Sequence, residues 1–414
     1  MREYIKNNID AFSKNIILVF AGTSLVNLFN LLCQLLIAHR LTPADFAAFN
    51  SLIAIMLFVS APLSTIQTAT AKYAAEFNAN NLPDNVKALL SGLFKKSLIF
   101  SLLTFLIVYL FSFYLLDKLR ISSAYSGCIL ALLLAVSWLS PVFTGALQGL
   151  ELFKWLTSVS VIGGFAKLIF AVIFIQLGFN VAGALGAIAA GVLITLIISV
   201  YPVRKMISFN AVPVEMNFQE IFVYLFPVAI STFCFTALTN MDMVLVKYYF
   251  NPQDSGAYSL AQMAGKIFLF LPTSISIVMF PKTSSLNAQN LDTAVIVRRS
   301  LIYTALLCVL SGAVYNCMPS FILKILTGKA FPESILLGRM FSVSMSFFSL
   351  LFVLVTYFLS IKDLRFLKYL VLFSALQVLA IALFHQHLIQ IQWILCANAI
   401  FVFFIHLALF KSKK

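Results

Sequence analysis

The sequence predicts an all-α protein embedded in a membrane, and its composition and apolar runs indicate this class. Hydrophobic residues make up 62% of the 414 residues, whereas charged residues make up only 10%. Soluble domains carry about 25% charged residues, so a water-soluble fold could not bury this much apolar surface. The mean hydropathy of +1.01 agrees with this prediction.

Twelve apolar segments are each long enough to cross a bilayer, because a helix of about 20 residues spans the hydrocarbon. The predicted spans are 16–38, 46–70, 97–116, 127–147, 156–177, 181–201, 221–246, 257–280, 300–322, 335–360, 366–385 and 388–410. An even number of spans places both termini on the same side of the membrane.

The positive charges indicate which side that is. Most of the 28 lysines and arginines fall in the terminal segments and in the loops on the side of the N-terminus. Cytoplasmic loops carry such an excess of Lys and Arg. We therefore expect both termini in the cytoplasm and the chain in the inner (cytoplasmic) membrane. The net charge of +14 is thereby explained without nucleic acid as a partner.

A weak internal repeat relates the two halves of the chain. Pro43 matches Pro252 and Asp45 matches Asp254, both at an offset of 209 residues. Because six predicted spans separate the matches, the halves have the same orientation, as in a parallel repeat about the membrane normal. The alternative is chance similarity among apolar helices. The repeat predicts two six-helix lobes, at 1–202 and 221–414, joined by a cytoplasmic linker at 203–220.

Several predicted spans carry stripes of polar residues, which lipid does not favour. One face of the first span carries four of them at helical spacing: Thr23, Asn27, Asn30 and Gln34. The fourth and seventh spans carry similar stripes: Ser137, Pro141, Thr144, Gln148, Thr232, Thr236 and Thr239. The stripes indicate either a polar cavity or close helix packing, which Ser and Thr also mediate. The amides of the first span favour a cavity.

Two lysines fall well inside predicted spans, Lys167 in the fifth and Lys266 in the eighth. A charge at the bilayer centre costs at least a few kcal/mol unless it is solvated or paired. These lysines therefore predict a hydrated, cationic interior, with snorkelling to the interface as the alternative. Gly163, one turn before Lys167, is expected to leave room beside it. Asp242, the one acidic residue in a predicted span, could exchange a coupling ion or pair with a lysine.

The motifs of common enzymes do not occur in the sequence. It contains no GxxxxGK[ST], HExxH or GxSxG pattern and no paired-cysteine motif. His385 and His387 form an HxH sequence between two predicted spans, where we expect a polar turn rather than a metal site. The prediction is a protein that is not an enzyme and binds neither a cofactor nor a metal.

Three stretches carry a family resemblance: 40–77 around the second span, GALQGLELFKWL at 145–156, and DMVLVKYYFNPQDSGAYSLA at 242–261. As a set they resemble the polysaccharide (O-antigen, Wzx-type) flippases. These belong to the multidrug/oligosaccharidyl-lipid/polysaccharide exporter superfamily, which also contains MATE exporters and lipid II flippases. The resemblance implies a MATE-like fold.

The resemblance also implies a function. The chain would move an oligosaccharide repeat unit linked to undecaprenyl pyrophosphate, a polyprenyl lipid, to the outer leaflet by alternating access, for surface polysaccharide synthesis. A cationic cavity would bind the pyrophosphate through Lys167, Lys266, Arg40, Arg339 and Lys72. Polar residues would line it and meet the sugars: Asn27, Asn30, Gln34, Thr236 and Gln148. Asp242 would bind a coupling proton or sodium ion.

Two departures from the superfamily bear on this expectation. Lipid II flippases usually have fourteen spans, whereas twelve are predicted here. Multidrug exporters often bury acidic residues, but the first span has none, which argues against cationic drugs. A MATE-like small-molecule antiporter is the alternative. Membrane lipid and other glycan-assembly proteins are the expected partners, and Arg40 and Arg339 could equally be interface anchors.

Overall fold

The computed structural model describes residues 2–121, 123, 125–206, 218–270, 273–289 and 291–411. The regular elements of this part are all helices. Contacts divide the chain into a first unit, Met1–Arg40 with Val59–Phe222, and a second unit, Leu41–Phe58 with Val223–Lys414. Of the expected linker, residues 207–217 lie outside the described residues, and Arg204–Met206 form a short 3₁₀ helix.

The first unit is built around α6, which packs against both α1 and α7, while α3 packs against α4. Its helices, with α2 shared between the units, are α1 (Arg2–Arg40), α2 (Pro43–Ala79), α3 (Pro83–Lys118), α4 (Tyr125–Ser137), α5 (Ser140–Gly149), α6 (Phe153–Gln176) and α7 (Asn180–Val203). Val142, Phe143 and Leu147 of α5 form part of its apolar core.

The second unit is centred on α13, which packs against α9, α11 and α15. Its helices, besides the first half of α2, are α8 (Phe218–Tyr249), α9 (Pro252–Phe270), α10 (Thr273–Ala288), α11 (Ala294–Cys317), α12 (Pro319–Thr327), α13 (Pro332–Ser360), α14 (Leu367–Leu383) and α15 (Leu388–Lys411). Phe341, Phe348 and Leu351 of α13 are completely buried in its core.

The predicted class, an all-α integral membrane protein, is confirmed. Nine described helices are long and apolar enough to cross a membrane, and the bent pair Pro43–Phe58 and Leu63–Asn78 raises the number to ten. The expected count of twelve is not confirmed. The predicted eighth span, 257–280, is divided between α9 and α10, and the eleventh, 366–385, corresponds to α14, which has only 17 residues.

Proline explains two further differences from the predicted spans. Tyr125–Gly149 forms one span, as predicted for 127–147, but its helix is interrupted between α4 and α5 just before Pro141, because proline has no N–H with which to continue the helical hydrogen bonds. The ninth span ends at Cys317, and Pro319 begins the separate helix α12. Proline is favoured in the first turn of a helix, where its missing N–H is not needed.

The matched prolines and aspartates of the repeat begin two similarly capped helices, α2 and α9. The Thr42 hydroxyl accepts from the Asp45 N–H at 3.1 Å and donates to the Asp45 carboxylate at 2.8 Å. At α9, the Asn251 amide makes the same pair of bonds with Asp254, each 2.8 Å long. Each arrangement satisfies a backbone donor at a helix start. The offset of 209 residues is therefore visible in local structure.

The first half of α2 also contacts α9 within the second unit. The Asn50 amide donates to the Ser259 hydroxyl at 2.7 Å, and these two residues are themselves 209 positions apart. A Cβ atom on Gly256 would lie 2.7 Å from Cβ of Pro43, so the helix starts approach closely. Positions that correspond in the repeat therefore touch, which supports the repeat; the division into two six-helix lobes stays a prediction.

Candidate functional site

Lys167 contacts the polar stripe of the first predicted span. It lies midway along α6 in the first unit, is half-buried, and donates a hydrogen bond from Nζ to Oδ1 of Asn30 on α1. Within the described part of the chain, the salt bridges are Lys87–Asp84 and Arg365–Asp363. Lys167 is thus held by a neutral amide rather than a carboxylate, so the site keeps a net positive charge when the amine is protonated.

Close packing of α6 on α7 surrounds this lysine. A Cβ atom on Gly191 of α7 would lie 2.9 Å from Cβ of Lys167. A Cβ atom on Gly163 would lie 1.9 Å from Oγ1 of Thr195, so Gly163 makes room for α7 rather than for Lys167. The expectation that Gly163 opens space beside the lysine is wrong, because the glycine's missing side chain is replaced by a neighbouring helix.

The polar stripe of the fourth predicted span lines an open cavity formed by residues of the first unit. This cavity, which we call the hydroxyl cavity, has a volume of about 300 Å³. It is lined by Gln67, Ser137, Ser140, Pro141, Thr144, Leu156, Ser160 and Val192. Gln148 lies one turn beyond Thr144 and accepts a 3.4 Å hydrogen bond from the Gln67 amide. Ser137, Pro141 and Thr144 therefore line a cavity, and the role of this stripe in binding stays a prediction.

A buried polar cluster surrounds Asp242 on α8 of the second unit. The side chain is 0% exposed, and its Oδ2 accepts from the Tyr258 hydroxyl at 2.7 Å and the Gln262 amide at 2.9 Å. Oδ1 makes no side-chain hydrogen bond to a described residue. Gln392 of α15 lies beside Tyr258. A carboxylate with one engaged oxygen can take up a proton or a cation at the other.

Lys266 follows Tyr258 and Gln262 on the same face of α9, at four-residue spacing. It is half-buried and interacts electrostatically with Asp242. The carboxylate offsets part of its charge, so Lys266 is a weaker anion site than Lys167. The structure thus places Lys167 beside Asn30 of the predicted amide stripe, and Lys266 near Asp242.

The remaining predicted site residues are dispersed over the two units. Arg40, Lys72, Asn27 and Gln148 are exposed in the first unit, where Gln34 is half-buried. In the second unit, Arg339 is exposed and lies near the Tyr315 hydroxyl, whereas the Thr236 side chain is half-buried. Within the described part of the chain, no hydrogen bond or ion pair joins these residues to Lys167 or Lys266, so their place in a binding site stays a prediction.

Sequence reasoning missed the residues that support the charged groups. Tyr258 and Gln262 hold Asp242, and Gln67 and Ser160 complete the hydroxyl cavity. The four-residue spacing of Tyr258, Gln262 and Lys266 could have identified the first pair. Gln67 and Ser160 lie on different helices from the predicted stripe, and no spacing within one helix could have joined them to it.

The described residues offer no group of three or more His, Cys, Asp or Glu side chains that could hold a metal ion. His385 of the HxH sequence stacks on Tyr249, with ring centroids 3.7 Å apart. An imidazole stacked against an aromatic ring in this way fits a structural turn.

The fold and the apolar spans define the class as a multi-pass membrane protein with polar and charged side chains inside its spans. Residues 12–287, more than half of the chain, match the family described as "Polysaccharide biosynthesis protein". The chain therefore belongs to the polysaccharide biosynthesis protein family. No curated protein sequence matches the chain at a significant level.

Solved structures show the same fold at low sequence identity. An inward-facing MATE multidrug resistance transporter of the MOP superfamily is 14% identical, with a TM-score of 0.75 over 94% of this chain and 95% of that one. The lipid II flippase MurJ, in an inward closed conformation, is 14% identical, with a TM-score of 0.69 over 96% and 88% of the two chains. A MOP superfamily transporter from Pyrococcus furiosus is 15% identical, with a TM-score of 0.53 over 96% and 95%.

Proposed function

We propose that this chain is a flippase that moves an oligosaccharide linked to undecaprenyl pyrophosphate across the cytoplasmic membrane. Family membership supports a role in polysaccharide biosynthesis, and the fold supports transport. The observation that carries the proposal is the bond between Lys167 and Asn30. An intramembrane lysine held by an amide rather than a carboxylate is suited to bind an anion.

The physics of the substrate explains why such a site is needed. A diphosphate cannot cross hydrocarbon unaided, because a charged group loses its hydration there. Lysine is a good point-charge partner for phosphate, and Asn30 fixes the position of the ammonium group. The apolar tail of the lipid can stay in the bilayer while the head group passes through the protein. Release requires an outward state that binds less tightly.

Asp242 is the proposed coupling site for a proton or sodium ion. Its carboxylate is buried, is held by two donors through Oδ2, and lies near the Lys266 ammonium group. Uptake of a cation changes the charge balance between Asp242 and Lys266. A transporter can use such a change to favour one conformation over another, provided that the two states bind the cation with different affinity.

The test measures the sidedness of the lipid-linked glycan in cells that lack the gene. Cells are complemented with wild type, Lys167→Gln, Lys167→Arg or Lys154→Gln at matched membrane levels. Lys154 is the control because it lies exposed near the start of the same helix. We expect Lys167→Gln to lower flipping roughly ten-fold or more, since a charge-assisted hydrogen bond contributes about 1.5–3 kcal/mol. Lys154→Gln should restore export, and Lys167→Arg should restore part of it.

Three results would change the proposal in different ways. Unchanged glycan export after deletion would reject the flippase, and a drug-sensitivity panel on the same cells would then test the MATE-like antiporter. Normal flipping by Lys167→Gln would keep the function and reject the site. If an imposed proton or sodium gradient does not change the flipping rate, coupling through Asp242 is rejected.

A further inference from the structure

The hydroxyl cavity is formed where the helix of the fourth predicted span breaks. α4 ends at Ser137 and α5 begins at Ser140, with the intervening N–H groups of Trp138 and Leu139 bonded three residues back. Pro141 has no N–H, so the Ser137 carbonyl lacks its usual helical donor. The break therefore places a backbone acceptor beside side chains that already line the cavity.

Close contact of α5 with α2 holds one wall in place. A Cβ atom on Gly145 would lie 2.6 Å from the backbone oxygen of Gln67. One turn on, a Cβ atom on Gly149 would lie 2.3 Å from the backbone oxygen of Ala71. These glycines let the two backbones approach, and the approach brings the Gln67 side chain to the cavity. The wall is thus built by packing within one compact unit.

Three of the four hydroxyl groups that line the cavity present acceptors, and the fourth, on Ser140, can donate as well as accept. Ser137, Thr144 and Ser160 each donate to a carbonyl of their own helix, at 2.7, 3.1 and 2.9 Å. Each hydroxyl oxygen keeps lone pairs that can accept from a bound molecule. Gln67 contributes an amide that can donate as well as accept. Leu156 and Val192 add an apolar wall, and none of the described residues that line the cavity is charged.

This combination selects among ligand classes. Among the described lining residues, a diphosphate would find no cation, and a cationic drug would find neither a carboxylate nor an aromatic ring. A single metal ion would leave most of 300 Å³ empty, since that volume holds about ten waters at roughly 30 Å³ each. A sugar ring donates through its hydroxyls and packs its C–H face on apolar side chains. The cavity lies at the small end of ligand sites, of about 300–1,000 Å³.

We propose that the hydroxyl cavity is a sugar subsite that takes one neutral pyranose ring of the transported glycan, apart from the Lys167–Asn30 site that binds its diphosphate. The inference rests on the proposed flippase function. The Lys167–Asn30 site would recognise the diphosphate, which all such lipids share. The hydroxyl cavity would recognise a sugar, which differs among glycans. Thr144 and Ser160 are then specificity-determining residues.

The experiment compares two ligands for the purified full-length protein. One is the lipid-linked glycan that accumulates in cells lacking the gene, and the other is undecaprenyl diphosphate without sugar. Affinities are measured for wild type, Thr144→Val, Ser160→Ala and Lys167→Gln. Ser112→Ala is the matched control, because this buried serine also donates to its own helix, at 2.7 Å, but lies outside the cavity. Melting temperatures confirm that each variant is folded.

We expect wild type to bind the glycan lipid more tightly than the bare diphosphate. Thr144→Val and Ser160→Ala should each weaken glycan-lipid binding roughly three- to ten-fold, the usual range for one lost hydrogen bond, and leave the bare diphosphate unaffected. Lys167→Gln should lower the affinity for both ligands. Equal affinity of wild type for the two ligands, or unchanged affinity in both hydroxyl variants, would overturn the subsite and identify the cavity as water-filled. If neither lipid binds to the wild-type protein, the flippase proposal itself is rejected.

Discussion

Lys167 and Asn30 lie 137 positions apart in the sequence, and the hydrogen bond between them determines what each side chain can do. An isolated lysine among apolar residues would have to snorkel to the interface or be neutralised. The amide stabilises the ammonium group without cancelling its charge. The same reasoning separates Lys167 from Lys266, because Lys266 has the Asp242 carboxylate as its electrostatic neighbour.

Replacement of Asp242 by asparagine tests the coupling proposal. Asn keeps the size of the side chain but cannot take up a proton or carry the charge that binds a cation. We expect flipping in proteoliposomes to lose its response to an imposed pH or sodium gradient, and its rate to fall at least ten-fold. Tyr258→Phe serves as the control, since it removes one hydrogen bond to Oδ2 and keeps the carboxylate. A gradient response in Asp242→Asn equal to that of wild type would contradict the coupling role.

A second residue-scale prediction concerns Lys329, in the loop between α12 and α13. Its ammonium group donates to the backbone oxygen of Leu41. Burial lowers the pKa of Lys329, whereas the nearby Asp45 carboxylate raises it. We expect Lys329→Met to reduce the free energy of unfolding by about 1–2 kcal/mol, because the Leu41 carbonyl loses its donor. The exposed Lys324 provides the control, and a melting temperature of Lys329→Met equal to that of Lys324→Met would disprove the contact's importance.

At the scale of elements, close approach of α5 to α2 forms one wall of the hydroxyl cavity. Gly145→Ala would place a Cβ atom 2.6 Å from the Gln67 backbone oxygen, so one helix must shift. Overpacking of this kind costs about 1–3 kcal/mol. We expect a lower melting temperature and reduced flipping. Gly92→Ala is the matched control, because no atom outside its own helix lies within 4 Å of that position. Equal stability of the two variants would show that α2 and α5 adapt freely.

The sequence was sufficient to predict the helical class and most spans, because these depend on hydropathy and periodicity within one segment. It placed Ser137 and Thr144 on one helix face, with a cavity as one of two interpretations, but it did not identify Gln67 and Ser160, which line the same cavity from other helices. Element boundaries failed where proline acts. Pro141 interrupts the helix within the predicted fourth span, and Pro319 begins a separate helix inside the predicted ninth span. Such effects depend on which backbone donors are missing, and hydropathy does not record them.

At the scale of the whole molecule, the repeat and the orientation are the two predictions of widest consequence. The capping of α2 by Thr42 and Asp45 has its counterpart in Asn251 and Asp254 of α9. Equivalent caps at an offset of 209 residues are difficult to explain by hydrophobic composition, because neither cap is an apolar feature. The repeat therefore has support that is independent of the apolar pattern.

Orientation can be tested with the cysteines that the chain already has. Cys128, near the start of α4, and Cys317, at the end of α11, are exposed, whereas Cys33, Cys234, Cys308 and Cys396 are buried. If the N-terminus is cytoplasmic, both exposed thiols lie at the outer surface. A membrane-impermeant maleimide should then label intact spheroplasts, and the double variant Cys128→Ser, Cys317→Ser should not react. Addition of Asp84→Cys to that variant supplies a cytoplasmic thiol that reacts only after permeabilisation. Labelling of Asp84→Cys in intact spheroplasts would reverse the orientation, and with it the direction in which the proposed substrate is carried.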